Sequence, residues 1–153
     1  MSIDSQSSRK PFLPRGAYRH WHRIETLWAD NDVYGHVNNT VHYRWFDTVV
    51  NAWLIDAGLL DIENGNPIGL VVETGCRYAA SVSFPGAVEV GLVIERLGSS
   101  SVSYRLGVFV EGSDQVAAEG HFTHVYVDRE SRRPVPLPET WRARLTPLLI
   151  DGQ

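Results

Sequence analysis

The sequence predicts an α+β fold in which one long helix packs against an antiparallel sheet. Phe46, Val49, Val50, Trp53, Leu54 and Ala57 recur at spacings of three and four, the apolar stripe of an amphipathic helix. Beyond it the chain alternates with period two. Val88, Val90, Leu92 and Ile94 face one way, and the run from Val102 to Val110 repeats the pattern with Ser101, Ser103 and Arg105 on its other face. Short turns at Gly98-Ser99-Ser100 and Gly112-Ser113-Asp114 join these runs, which suits hairpins and therefore antiparallel pairing. A helix laid on one face of such a sheet is a stable two-layer arrangement.

The elements follow in order. Residues 1–17 are rich in Ser and then carry Pro11, Pro14 and Gly16, so a flexible leader is expected there, followed by a single domain over 18–150. Tyr18 to Trp28, with Trp21, Ile24 and Thr26, reads as a first strand. The segment Asp30-Asn31-Asp32-Val33-Tyr34-Gly35-His36-Val37-Asn38-Asn39 is dense in turn formers and reads as a loop. Asn38 or Asn39 suits the N-cap of the helix, Gly58 its stop, and Gly35 a loop geometry closed to other residues. A strand is expected from about Gly69 to Ala79, with Pro85-Gly86 closing the segment after it, and another from Val116 to Val127. Pro134, Pro136 and Pro138 form a rigid connector to a short helix over about Glu139 to Leu149. A sheet this small covers one side of the helix, so oligomerisation through an edge strand or sheet face is expected.

Composition narrows the function. The chain has 153 residues, enough for one real core, and a formal net charge of -4, which disfavours nucleic acid and anionic membranes as partners. Cys76 is the single cysteine, so no internal disulfide forms and a reducing compartment is the simpler reading. A buried, inert thiol is expected of it. The N-terminus lacks an apolar stretch behind its basic residues, and no run approaches the ~20 apolar residues of a membrane span. A soluble, cytoplasmic protein is expected.

The loop before the helix carries the chemistry. It gathers two carboxylates, a histidine and two asparagines beside a helix N-terminus, where backbone N–H groups carry partial positive charge. Such groups polarise a carbonyl and stabilise a developing oxyanion. A carboxylate nearby can attack the carbonyl carbon or activate water. On spacing alone, Asp and Asn before a helix read first as caps.

Asp32-Val33-Tyr34-Gly35-His36-Val37-Asn38-Asn39, then Tyr43, resembles the signature of the hot-dog-fold acyl-CoA thioesterases of the 4-hydroxybenzoyl-CoA thioesterase type. Within that group it is most similar to the long-chain acyl-CoA thioesterases. Gly120 to Asp128 and the tail Arg132 to Pro138 also resemble the last strand and tail of these proteins. The resemblance implies a long helix wrapped by an antiparallel sheet, a homodimer or homotetramer, and a site at the dimer interface. It implies that Asp32 is the catalytic carboxylate, as nucleophile or general base, and that the Asn39 amide binds the thioester oxygen. Tyr34, His36, Asn38, Gly69 and Arg77 are the expected substrate-binding positions, with acyl-CoA as substrate and neither metal nor cofactor. Some positions depart from relatives. Plant acyl-carrier-protein thioesterases have Asn where this chain has Tyr34, and the aromatic-acid thioesterase lacks His36 and has an Arg-rich phosphate-gripping turn in place of Gly98-Ser99-Ser100. Arg77, Arg96 and Arg105 are then the phosphate candidates, each also readable as a solvated strand charge. Glu73 is readable as a water-orienting acid or an exposed strand acid. The competing reading is a non-catalytic acyl-CoA binding or sensing protein, which needs no carboxylate beside the thioester.

Overall fold

The computed structural model describes residues 10–150. The long helix α1 spans Asn39–Asp56. Five strands follow the chain as β1 His20–Glu25, β2 Ile68–Tyr78, β3 Ala87–Leu97, β4 Ser101–Val110 and β5 Val116–Val127. They form one antiparallel sheet in the order β1-β3-β4-β5-β2. The second helix α2, Glu139–Leu145, closes the chain. This is the hot-dog arrangement that the resemblance implies.

The main core lies between α1 and one face of the sheet. Phe46, Val49 and Val50 are fully buried against Val88, Val90, Leu92, Tyr104 and Leu106. The helix sits close because β5 presents Gly120 beneath it. A Cβ on Gly120 would run into the Phe46 ring. Trp45 is buried and Trp53 half-buried within the same core. At the far end, Gly58 takes φ 75°, the left-handed geometry of a helix stop.

The opposite face carries a smaller cluster of Tyr18, Val93 and Phe109, with Trp21 and Leu13 against it. Residues 10–17 of the expected leader reach this face: the Leu13 N–H donates to buried Glu119 at 2.8 Å, and Arg77 donates to the Lys10 carbonyl at 2.6 Å. Residues 1–9 lie outside the described residues.

Two boundaries differ from the sequence reading. The first strand is shorter than Tyr18–Trp28: its pairing with β3 ends at Thr26, whose N–H makes the last bond of the ladder, to the Gly86 carbonyl at 2.9 Å. Trp28 instead opens a 3-10 turn with its ring 75% exposed. The last helix ends at Leu145 rather than Leu149, since Pro147 has no N–H to continue the ladder.

Gly120→Ala is expected to destabilise the protein by roughly 1–3 kcal/mol, because the added methyl overpacks a filled core. Chemical denaturation read by circular dichroism measures it.

Candidate active site

The loop between β1 and α1 is a small hairpin. The Asp32 N–H donates to the His36 carbonyl at 2.7 Å, and the Asn38 N–H to the Asp30 carbonyl at 2.8 Å, with Asn31 bridged to Val37 between them. Gly35 at the tip takes φ 79°, which a residue with a Cβ adopts only at a cost. The segment after β2 braces the hairpin: the Val37 N–H donates to the Val82 carbonyl at 2.7 Å, and the Phe84 N–H to Asn31 Oδ1 at 3.1 Å.

The two acids of the loop have different surroundings. Asp30 is 2% exposed. Its Oδ1 accepts from Arg44 on α1 at 2.6 Å and its Oδ2 from the Leu27 N–H at 2.8 Å, so it is a fastening. Asp32 is half-buried. Its Oδ1 accepts the N–H groups of Tyr34 at 2.8 Å and His36 at 3.3 Å, the side-chain mimic of a turn. Among the described residues, its Oδ2 has no hydrogen-bond partner.

At the helix start, Asn38 is the cap and its Oδ1 accepts from the Thr40 N–H at 2.9 Å. The Val41 N–H donates to the Asn38 carbonyl at 2.9 Å. The Asn39 N–H has no acceptor among the described residues. It belongs to the N-terminal turn, where the helix dipole favours negative charge.

A cavity of about 280 Å³ opens beside that group, lined by His36, Val37, Asn39, His42, Tyr78 and Val82 among others. Tyr78 and His42, which sequence reasoning missed, form its aromatic wall at 5.1 Å ring to ring. His42 follows the apolar period of α1 in place of a hydrophobic residue, the one signal that pointed to it. Burial pushes its imidazole down to about 4, so it is neutral near pH 7.

The expected residues divide into two groups. Asp32, Tyr34, His36, Asn38 and Asn39 share the hairpin and helix start, with Tyr34 82% exposed at the tip. Gly69 lies on β2 beside His124 and Tyr126, lining a smaller crevice. Arg77 faces away from α1, where it donates to Glu119 at 2.7 Å and lies over the Phe12 ring. Arg105 is paired with Glu95, and Glu73 lies 3.3 Å from His121. These ion pairs line a larger cavity of about 740 Å³. Its three acids already lie beside Arg77, Arg105 and His121, and no helix start is among its lining residues, so the cavity at Asn39 is the better candidate site. Cys76 is half-buried, and burial pushes its thiol up, which suits an inert residue. Among the described residues, no group of three or more His, Cys, Asp or Glu could hold a metal ion. Among the described residues, no helix is long and apolar enough to cross a membrane.

Comparisons with known proteins agree with this fold. Residues 26–145 match the family model of the thioesterase-like superfamily. The PA5185 protein of Pseudomonas aeruginosa strain PAO1 is 49% identical, with 94% of this chain and 100% of that chain covered and a TM-score of 0.88. The PA2801 protein of the same species is 31% identical over 82% of this chain and 97% of that one, with a TM-score of 0.77. Slr0204 of Synechocystis, a 1,4-dihydroxy-2-naphthoyl-CoA thioesterase, shares the fold at 19% identity, covering 82% and 94%, with a TM-score of 0.75. No curated protein matches significantly.

His42 and His124 are both buried and held down at about 4 by that burial. An unfolded histidine binds its proton near pH 6.5, so the unfolded chain takes up protons first as the pH falls. Stability is therefore expected to be level above about pH 6.5 and to fall between there and about pH 4, by up to ~1.4 kcal/mol per pH unit per histidine. Urea unfolding at pH 7.5 and 5 should show the loss, and a His42→Phe, His124→Phe double variant should show less of it.

Proposed function

The chain belongs to the thioesterase-like superfamily, and on that premise we propose that it hydrolyses the thioester of an acyl-CoA to the free acid and CoA. The observation that carries the proposal is the Asn39 N–H at the start of α1, without an acceptor among the described residues, on a residue that lines a cavity and follows the hairpin carrying Asp32. A thioester oxygen accepting from that N–H gains stabilisation as negative charge develops on it. Asp32 is held through Oδ1 alone, which leaves Oδ2 to act. It either attacks the carbonyl carbon, forming an anhydride that water then opens, or takes a proton from the attacking water. In both routes the C–S bond breaks and CoA leaves as a thiolate that takes up a proton. His36 and Tyr34 shape the loop and the rim. Asn38 holds the first helical turn so that its neighbour's N–H stays open.

A homodimer is the proposed assembly. Strand β2 is an edge strand carrying Leu70, Val71 and Val72 exposed in a row, and such an edge favours pairing with another strand. A second copy along β2 would close the cavity, which is open in a single protomer. Neither metal nor organic cofactor is required, because a carboxylate and a helix terminus supply the groups for acyl transfer.

Asp32→Asn is expected to lower turnover by at least ~10²-fold, measured as free-thiol release over a panel of acyl-CoAs, with binding of a non-hydrolysable acyl-CoA little changed. Asp30→Asn is the contrasting variant. It should cost roughly 1–3 kcal/mol of stability by leaving Arg44 and the Leu27 N–H poorly matched, and should lower turnover per folded molecule far less than Asp32→Asn does. A dead Asp30 variant beside an active Asp32 variant would reverse the assignment. Retained activity in both would remove the enzyme reading of the loop. Sedimentation at micromolar concentration should give a dimer or larger, and a monomer alone would rule out the shared assembly.

A further inference from the structure

We infer that Tyr78 is a positioning residue for the thioester carbonyl, fixing the backbone of Asn39 from the edge strand β2. The inference rests on the proposed hydrolysis at Asn39 and adds a residue that the sequence motif does not contain.

The first turn of α1 is secured on every side but one. Asn38 gives its N–H to Asp30, and its carbonyl and side chain take the N–H groups of Val41 and Thr40. That leaves the Asn39 N–H without an acceptor among the described residues, on a residue that lines the cavity. On the carbonyl side of the same residue, the Tyr78 hydroxyl donates to the Asn39 oxygen at 2.7 Å, a contact between positions 39 residues apart in sequence. An α-helix needs no such donor there, because the carbonyl of its first residue is served by the N–H four positions on. The bond is therefore additional to what the helix requires, and it falls on the cavity-lining residue whose N–H has no acceptor among the described residues.

The chemistry of the site gives that bond a purpose. Helix ends fray by a residue or two, and an oxyanion donor is effective only when it is aimed before the reaction begins. A misplacement of about 1 Å can cost ~10²-fold in rate. Tyr78 is suited to hold the aim. Its ring stands edge-on to His42 at 5.1 Å and 83°, and its strand is paired along its length to β5. Partial burial and the neighbouring Cys76 thiol push the phenol up, so the hydroxyl keeps its proton, and its role as donor, through the neutral range. Tyr78 is still 44% exposed, so exchanging it for Phe removes the hydroxyl without opening the core.

The test uses the full chain with Asp32→Asn, which slows turnover, and an acyl-CoA labelled with ¹³C at the thioester carbonyl. Infrared difference spectra should show the bound carbonyl stretch shifted below that of the free thioester. Adding Tyr78→Phe should abolish at least about half of that shift. With Asp32 intact, Tyr78→Phe should lower kcat about 10-fold, a fraction of what loss of a whole oxyanion donor costs, with KM within about two-fold and the thermal midpoint little moved. An unchanged carbonyl frequency together with an unchanged kcat would overturn the role of Tyr78 while leaving the thioesterase reading in place. The absence of any downshift in the Asp32→Asn parent would instead remove the reading of Asn39, and the role of Tyr78 with it.

Discussion

The geometry of the loop depends on one buried carboxylate. Asp30 accepts from Arg44 on the second turn of α1 and from the Leu27 N–H at the end of the first strand's exit, while its own carbonyl takes the Asn38 N–H at the helix start. Three pieces of chain meet on one residue that is 2% exposed. A carboxylate that deep is costly unless each oxygen is matched, so the loop has little freedom to adopt another path. With the backbone bonds of the hairpin, that constraint helps to hold the carboxylate of Asp32 and the N–H of Asn39 in place relative to one another.

Around this fixed point the protein separates two uses of the same side chain. Asp30 is consumed in holding the hairpin. Asp32, two residues on, is only half committed, with one oxygen tied to the backbone and the other open. The rest of the fold supports that difference from a distance. Gly120 lets Phe46 press α1 onto the sheet. Val82 pins the hairpin through Val37, and Tyr78 reaches the first helical residue from the sheet's edge. Each is a backbone or packing contact between segments far apart in sequence.

That distance explains what the sequence reveals and what it conceals. The period of Phe46, Val49, Val50 and Leu54 marks the helix, and the alternation from Val88 onward marks the strands, because each is a local consequence of burying one face. Gly35 and Gly58 were legible for the same reason, as backbone positions that demand a positive φ. The hairpin's motif made Asp32 and Asn39 stand out. The pairing of Asp30 with Arg44 was not legible, since a helix surface arginine looks alike whether its partner is solvent or a buried acid. Arg77 read as a phosphate candidate for the same reason, and its partner Glu119 lies on the adjacent strand, on the face turned away from α1. Tyr78 looked like an ordinary strand aromatic, because nothing in its own neighbourhood of the chain records that its hydroxyl meets Asn39.

The central claim is that a thioester carbonyl is polarised by the Asn39 N–H within reach of Asp32. A crystal structure with an acyl-CoA analogue in which CH₂ replaces the thioester sulfur tests it most directly. The ketone oxygen is expected about 2.7–3.1 Å from the Asn39 nitrogen, the distance of an effective oxyanion donor, with the Asp32 carboxylate facing the carbonyl carbon. A ketone seated instead among the ion pairs of Arg77, Glu119, Arg105 and Glu95, with the Asn39 N–H left open, would contradict it.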